Sequence, residues 1–175
     1  FLIYRSLFKI SKVLGVFGLV GFLQGIGIHV DIQKEMKMPE LTFSAYAAVY
    51  VFLIMLTIQW IVAAVTKAKQ PNAVPGKLDN SLSHDSFVFR SHRTFMNTLE
   101  NSPLFLGSVF LGFFLNLNSS AFALCIWLYV IARIIHMLLY YGVATEKNPS
   151  PRSYFFLIAA LANIVMLILI GLRLI

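Results

Sequence analysis

The chain has 175 residues, 59% of them hydrophobic and only 12% charged, with a mean hydropathy of +0.81 and 14 Lys and Arg against 7 Asp and Glu. Disorder is excluded, because it needs low hydrophobicity and high charge. An ordinary soluble domain is excluded too, because about 25% of its residues would be charged and this chain would leave large apolar patches in water.

A polytopic membrane protein remains. At about 20 residues per spanning helix, the length holds four or five spans. The net charge of +7 would suggest nucleic acid in a soluble protein. In a membrane protein it is read first as basic residues in cytoplasmic loops, and second as a pocket for a small anion. The sequence opens on Phe1 rather than Met, so its natural start is expected to lie upstream.

The first apolar stretch, Val13–Val30, follows a basic lead of Arg5, Lys9 and Lys12. It is longer than a signal-peptide core and no A-x-A site follows. An extra spanning helix is expected, ahead of an interfacial or re-entrant one. Gly18, Gly21 and Gly25 on one face would allow close helix packing. Residues 1–40 then form an N-terminal helix with a polar connector, and residues 41–175 the main transmembrane domain.

The second stretch, Phe43–Thr66, is long enough to span with some tilt. Pro71, Pro75 and Gly76 mark the next connector as a loop. The third apolar run, Leu104–Leu117, covers about 21 Å of helix, short of the roughly 30 Å hydrocarbon core. To span, its helix must reach back through Glu100 and Asn97 toward Arg93. Charged groups at that depth are costly and mark function by default.

The link at 116–120 is short, so the third and fourth helices are expected to be antiparallel neighbours. The fourth stretch, Ala121–Tyr141, is interrupted by Arg133 and His136. A connector with Pro149 and Pro151 leads to the last stretch, Tyr154–Leu172. Ten Lys and Arg fall on one side of these spans and three on the other, which puts the larger group in the cytoplasm. A bacterial inner membrane and an endoplasmic reticulum membrane fit equally.

The candidate chemistry lies in two helical stripes. Arg90, Arg93, Asn97 and Glu100 are spaced three, four and three apart; Tyr129, Arg133, His136 and Tyr140 are spaced four, three and four apart. Each spacing puts its members on one face. Arg152 and Ser153 open the last helix. Singly, these residues read as an internal Glu100–Arg133 pair, snorkelling arginines and belt tyrosines. Jointly they form a site of several cations, one acid and one amide.

Arginines would hold carboxylates bidentately, a glutamate would hold an ammonium, and a thiol near a cation would ionise. Glutathione fits, as does any small anion. Metal motifs and phosphate loops are absent from the sequence. Cys125 lies in an apolar run and reads as packing. His29 and His84 are expected to be solvated.

The order Arg-x-x-Arg-x-x-x-Asn-x-x-Glu, Pro-x-Phe, Arg-x-x-His-x-x-x-Tyr and Arg-Ser, over Ala47–Ile175, resembles the MAPEG family (membrane-associated proteins in eicosanoid and glutathione metabolism). Within it the likeness is to the microsomal glutathione transferase and prostaglandin E synthase branch. The resemblance implies a four-helix transmembrane protomer, here with an extra N-terminal helix. It also implies a homotrimer, with glutathione between protomers near the cytosolic face.

By position, Arg93, Asn97, Glu100, His136 and Tyr140 would contact glutathione. Arg152 would stabilise the thiolate with Ser153 beside it, Arg133 would support the site through Glu100, and Arg90 would open the motif. The chain departs from the pattern in four places. Thr98 stands where close relatives carry Asp, and Phe95 stands where several carry His. The Tyr140–Arg152 interval is about three residues longer, and Phe156 replaces a tyrosine, which weakens a prostaglandin-isomerase assignment.

The expected function is a membrane glutathione transferase acting on lipophilic electrophiles, with peroxidase activity on lipid hydroperoxides as a second reaction. The expected partners are glutathione, such a substrate, membrane lipid and further copies of the chain. A non-catalytic lipid-binding or scaffold protein is the alternative. A transporter would be expected to show inverted repeats, and the sequence has none.

Overall fold

The structure is a computed structural model that describes residues 40–175, apart from Asn72 and the side chains of residues 40 and 41. The expected first span, Val13–Val30, and His29 lie outside the described residues. Those described form four helices and no strand: α1 (Glu40–Ala68), α2 (Phe87–Phe114), α3 (Ser120–Gly142) and α4 (Pro151–Leu174). Three of them, over Thr42–Ala68, Ser120–Gly142 and Pro151–Leu174, are long and apolar enough to cross a membrane. Over the described residues the chain is all-helical, with the spans of a membrane protein.

α2 has the length of a span, 28 residues or about 42 Å, but its first half is polar. It starts at Phe87, well before the apolar run at Leu104, as the depth of a bilayer requires. Pro103 lies inside it and has no N–H to give the preceding turn. In that turn, Asn101 Nδ2 donates to the Asn97 carbonyl at 2.7 Å and Ser102 Oγ to the Thr98 carbonyl at 2.7 Å. These bonds give two carbonyls of that turn a second donor and hold two polar side chains against their own helix.

α2 ends in a Schellman turn. Asn116 takes the left-handed conformation (φ 51°), Leu117 N–H bonds the Gly112 carbonyl at 2.9 Å, and Asn116 N–H bonds that of Phe113 at 3.0 Å. Ser119 then caps α3 by accepting from Phe122 N–H at 3.2 Å. The reversal is as tight as the short link predicts.

α3 is the central helix. It packs against α1, α2 and most extensively α4; α2 also meets α1 and α4, whereas α1 and α4 do not touch. Phe105 and Tyr129 stack with ring centroids 3.9 Å apart, and Phe52 meets them edge-on at 4.8 and 5.9 Å. Cys125 is buried in this core, as a packing residue should be.

Two contacts pin α1. Trp127 Nε1 donates to Ser44 Oγ at 2.8 Å, and Thr66 Oγ1 lies 2.9 Å from Ser91 Oγ. The pairs Phe52–Phe105 and Thr66–Ser91 are both reached by stepping seven residues each way from Gln59 and Thr98. This coiled-coil repeat brings Gln59 to the level of Thr98.

Gly112 lies so close to the fully buried Phe122 ring that an added Cβ would collide with it. Gly112→Ala is expected to cost about 1–3 kcal/mol, read as a lower thermal midpoint in detergent. Phe122→Leu in the same chain should recover part of that loss.

Candidate functional site

The start of α2, the end of α3 and the start of α4 meet at one end of the bundle. Their polar side chains divide by face. On α2 the inward positions are Ser91, Thr94, Thr98 and Ser102, all buried. Most of their hydroxyls bond back to the helix: Thr94 Oγ1 donates to the Arg90 carbonyl at 2.7 Å and Ser91 Oγ to that of Val88 at 3.0 Å. These local bonds let small polar residues lie in an apolar interior.

The charged stripe runs along the rim of that face. Arg93 and Glu100 are exposed. Asn97 is half-buried, and its Oδ1 is buried without a protein partner. Arg90 spends its guanidinium on main-chain carbonyls, donating to His84 at 2.6 Å, Asp85 at 2.8 Å and Tyr141 at 3.4 Å. It ties the loop before α2 to the end of α3, and within the protomer it braces the site.

On α3 the stripe is inward throughout: Tyr129, Arg133, His136 and Tyr140 are all buried. Arg133 is 1% exposed and donates from Nη2 to Thr98 Oγ1 at 2.7 Å. This corrects the expected Glu100–Arg133 pair, since Glu100 faces outward and Thr98 is the acceptor. The residue that departs from the family pattern is thus the one the arginine uses. Arg133 Nε and Nη1, both amide atoms of the fully buried Gln59 and His136 Nδ1 have no partner among the described residues. Asn163 on α4 is buried with its amide unpartnered as well.

Arg152 is the second residue of α4. Its guanidinium lies 4.0 Å from the centre of the Tyr140 ring, a cation–π contact, and Nη2 donates to the Thr145 carbonyl at 3.1 Å. Nη1 is buried and unpartnered. The connector after Gly142 brings Arg152 back over Tyr140. Ser153 has a local role: its Oγ accepts from Ser150 N–H at 3.3 Å and lies 3.1 Å from Ser150 Oγ. With Pro151 in the first turn, these bonds fix the start of α4 and so the position of Arg152.

His84 is a second correction. It is not a solvated loop residue: it is half-buried, with its ring 5.8 Å from Tyr140 and 4.9 Å from Phe89, and its Nδ1 has no partner. Burial pushes its pKa down and the Arg152 charge pushes it further; Glu146 pulls the other way, and Arg93 and Arg90 add smaller downward pushes. His84, Thr98, Gln59 and Asn163 are the polar residues here that spacing missed. Gln59 and Asn163 each left a visible mark, as an amide inside an apolar stretch.

The MAPEG family pattern matches residues 44–172, most of the chain. The chain belongs to the MAPEG family. No curated protein and no solved structure matches it.

Two outcomes follow from the geometry. Thr98→Val leaves a buried guanidinium without its acceptor and should cost about 1.5–3 kcal/mol in thermal unfolding, while Thr98→Ser should be near neutral. His84 resists protonation in the fold, so its contribution to stability is full above its ordinary value near 6.5. It is lost as pH falls below that value toward the lowered one. Unfolding midpoints across this range should fall less steeply for His84→Asn than for the unsubstituted protein.

Proposed function

We propose that this MAPEG protein is a membrane-bound glutathione transferase, of the microsomal glutathione transferase and prostaglandin E synthase type. It would join the glutathione sulfur to lipophilic electrophiles, with peroxidase activity on lipid hydroperoxides at the same thiolate. The observation that carries this reading is Arg152, locked over Tyr140 with a buried Nη1 that no protein group uses.

The residues fit the ligand. Arg93 and Arg152 supply donors for carboxylate and thiolate, Glu100 an acceptor for ammonium, and Asn97 Oδ1 an unspent acceptor. His136 and Tyr140 form the inner wall. A free thiol has a pKa of about 8.5 and only the thiolate attacks, so a fixed guanidinium beside sulfur raises the reactive fraction at neutral pH. The new bond joins sulfur to carbon, the leaving group departs with its electron pair, and the thiol proton passes to solvent.

Arg133 holds Thr98, one residue from Asn97, and so positions α2 rather than touching the ligand. Arg90 and Ser153 are positioning residues on the same grounds. Glu100 supports a homotrimer: it lies about 20 Å along α2 from Phe87 and is exposed in the protomer. A carboxylate bared to lipid at that depth is costly, and a second copy would cover it. The basic connectors favour a site on the cytoplasmic side.

Conjugation of a chlorodinitroarene by the purified protein tests the reading. Arg152→Ala should lower kcat/KM by about a hundredfold and move the rise of the pH–rate profile upward, with Arg152→Lys between. Unchanged activity in Arg152→Ala would sink the role assigned to it. Absence of glutathione binding by calorimetry would favour a non-catalytic lipid-binding or scaffold member.

A further inference from the structure

On the other side of α1 from α3, two recesses share a wall. The first is an apolar trench of about 530 Å³ between the end of α1, the following connector and the outer face of α2. Trp60, Ala64, Phe95 and Met96 line it, with Lys67 and His92 at its polar end. The second, also about 530 Å³, lies under the connector and carries Lys67, Lys77 and Gln70. Lys67, Ala73 and Val74 belong to both. An apolar slot therefore runs into a basic recess through one lysine.

The connector is built to hold this form. Lys77 N–H bonds the Val74 carbonyl at 3.1 Å, with Pro75 and Gly76 (φ +79°) between them. Pro followed by a residue with positive φ is a type II turn. It holds Val74 outward, 58% exposed, and puts Lys77 on the recess. Asp79 also lines the recess, and Ser81 donates to its Oδ1 through N–H at 2.9 Å and Oγ at 2.8 Å. Its charge remains, and Lys67 and Lys77 against it leave the recess positive by one.

We propose that this paired recess is a binding site for an anionic phospholipid. An acyl chain lies in the trench along Trp60 and Phe95, and the headgroup phosphate sits between Lys67 and Lys77. Three things on the molecule select that occupant. The trench adjoins a membrane-spanning helix, its apolar wall ends where the helix does, and the cations lie in the last turn of that helix (Lys67) and just beyond it (Lys77). A basic pocket at the edge of a span is the geometry that recognises acidic headgroups. Lys67 reaches it by extending its stem along apolar surface.

The test uses the chain's two tryptophans, Trp60 and Trp127. In Trp127→Phe, Trp60 alone reports. The protein is reconstituted in phosphatidylcholine vesicles containing either brominated phosphatidylglycerol or brominated phosphatidylcholine. Trp60 fluorescence should be quenched with about fivefold preference for the anionic lipid. The preference should vanish in Lys67→Gln with Lys77→Gln, and quenching by either lipid should weaken in Ala64→Phe, which fills the trench with charge unchanged.

Equal quenching by both lipids would overturn the proposal. So would a preference that survives loss of both lysines, or one unaffected by Ala64→Phe, which would mean surface charge alone. Absence of quenching by any lipid would also overturn it, as expected if a second copy covers the trench. No glutathione enters the measurement, so its failure is distinct from failure of the transferase reading.

Discussion

A guanidinium at 1% exposure among membrane helices has to be given acceptors by its surroundings. Arg133 meets this constraint with Thr98 Oγ1 at 2.7 Å rather than with a carboxylate. A neutral acceptor leaves the charge in place while satisfying one N–H. The rest of the interior accommodates it. Gln59 comes to the same level from α1, Tyr129 lies one turn away on α3, and the inward face of α2 is small and hydroxylated. Small residues let α2 and α3 approach closely enough for the bond to form.

That bond aligns what lies above it. With Thr98 held inward, Arg93, Asn97 and Glu100 fall on the rim of α2, off its buried face. His136 and Tyr140, one and two turns beyond Arg133 on the same face, form the wall on which Arg152 stacks. Arg90 closes the arrangement by tying the loop that carries His84 to the last turn of α3. Each cation thus has a different task, set by its place along the helix. One is buried as a strut, one ties main chains together, one is exposed on the rim and one stacks on the Tyr140 ring.

Much of this was legible in the sequence. The inward stripe of α3 was, because polar residues at helical spacing in an apolar run contrast with their neighbours. So was the extension of α2, because the apolar run at Leu104 is too short for a bilayer. The inward face of α2 was hidden: Ser91, Thr94, Thr98 and Ser102 satisfy themselves locally and carry no strong polarity signal, while the neighbouring charges suggest another face. The Glu100–Arg133 pairing failed for that reason, since the charges nearest in chemistry were not the groups nearest in space. His84 was hidden because periodicity says nothing about how a connector folds back. The family pattern was readable because it depends on order and spacing across three helices.

The seven-residue step that carries Thr66–Ser91 through Gln59 and Thr98 to Phe52–Phe105 also bears on how such a chain can vary in length. One residue inserted between Ser91 and Thr98 would turn everything on one side of it by about 100° relative to the other, taking Thr98 from Arg133 or Ser91 from Thr66. Within these helices the reading frame of the packing is closed to single insertions. The connector after Gly142 has no such frame, and it brings Arg152 onto Tyr140. Descent with changing length is therefore channelled into the connectors, where new surfaces can arise while the buried register stays fixed.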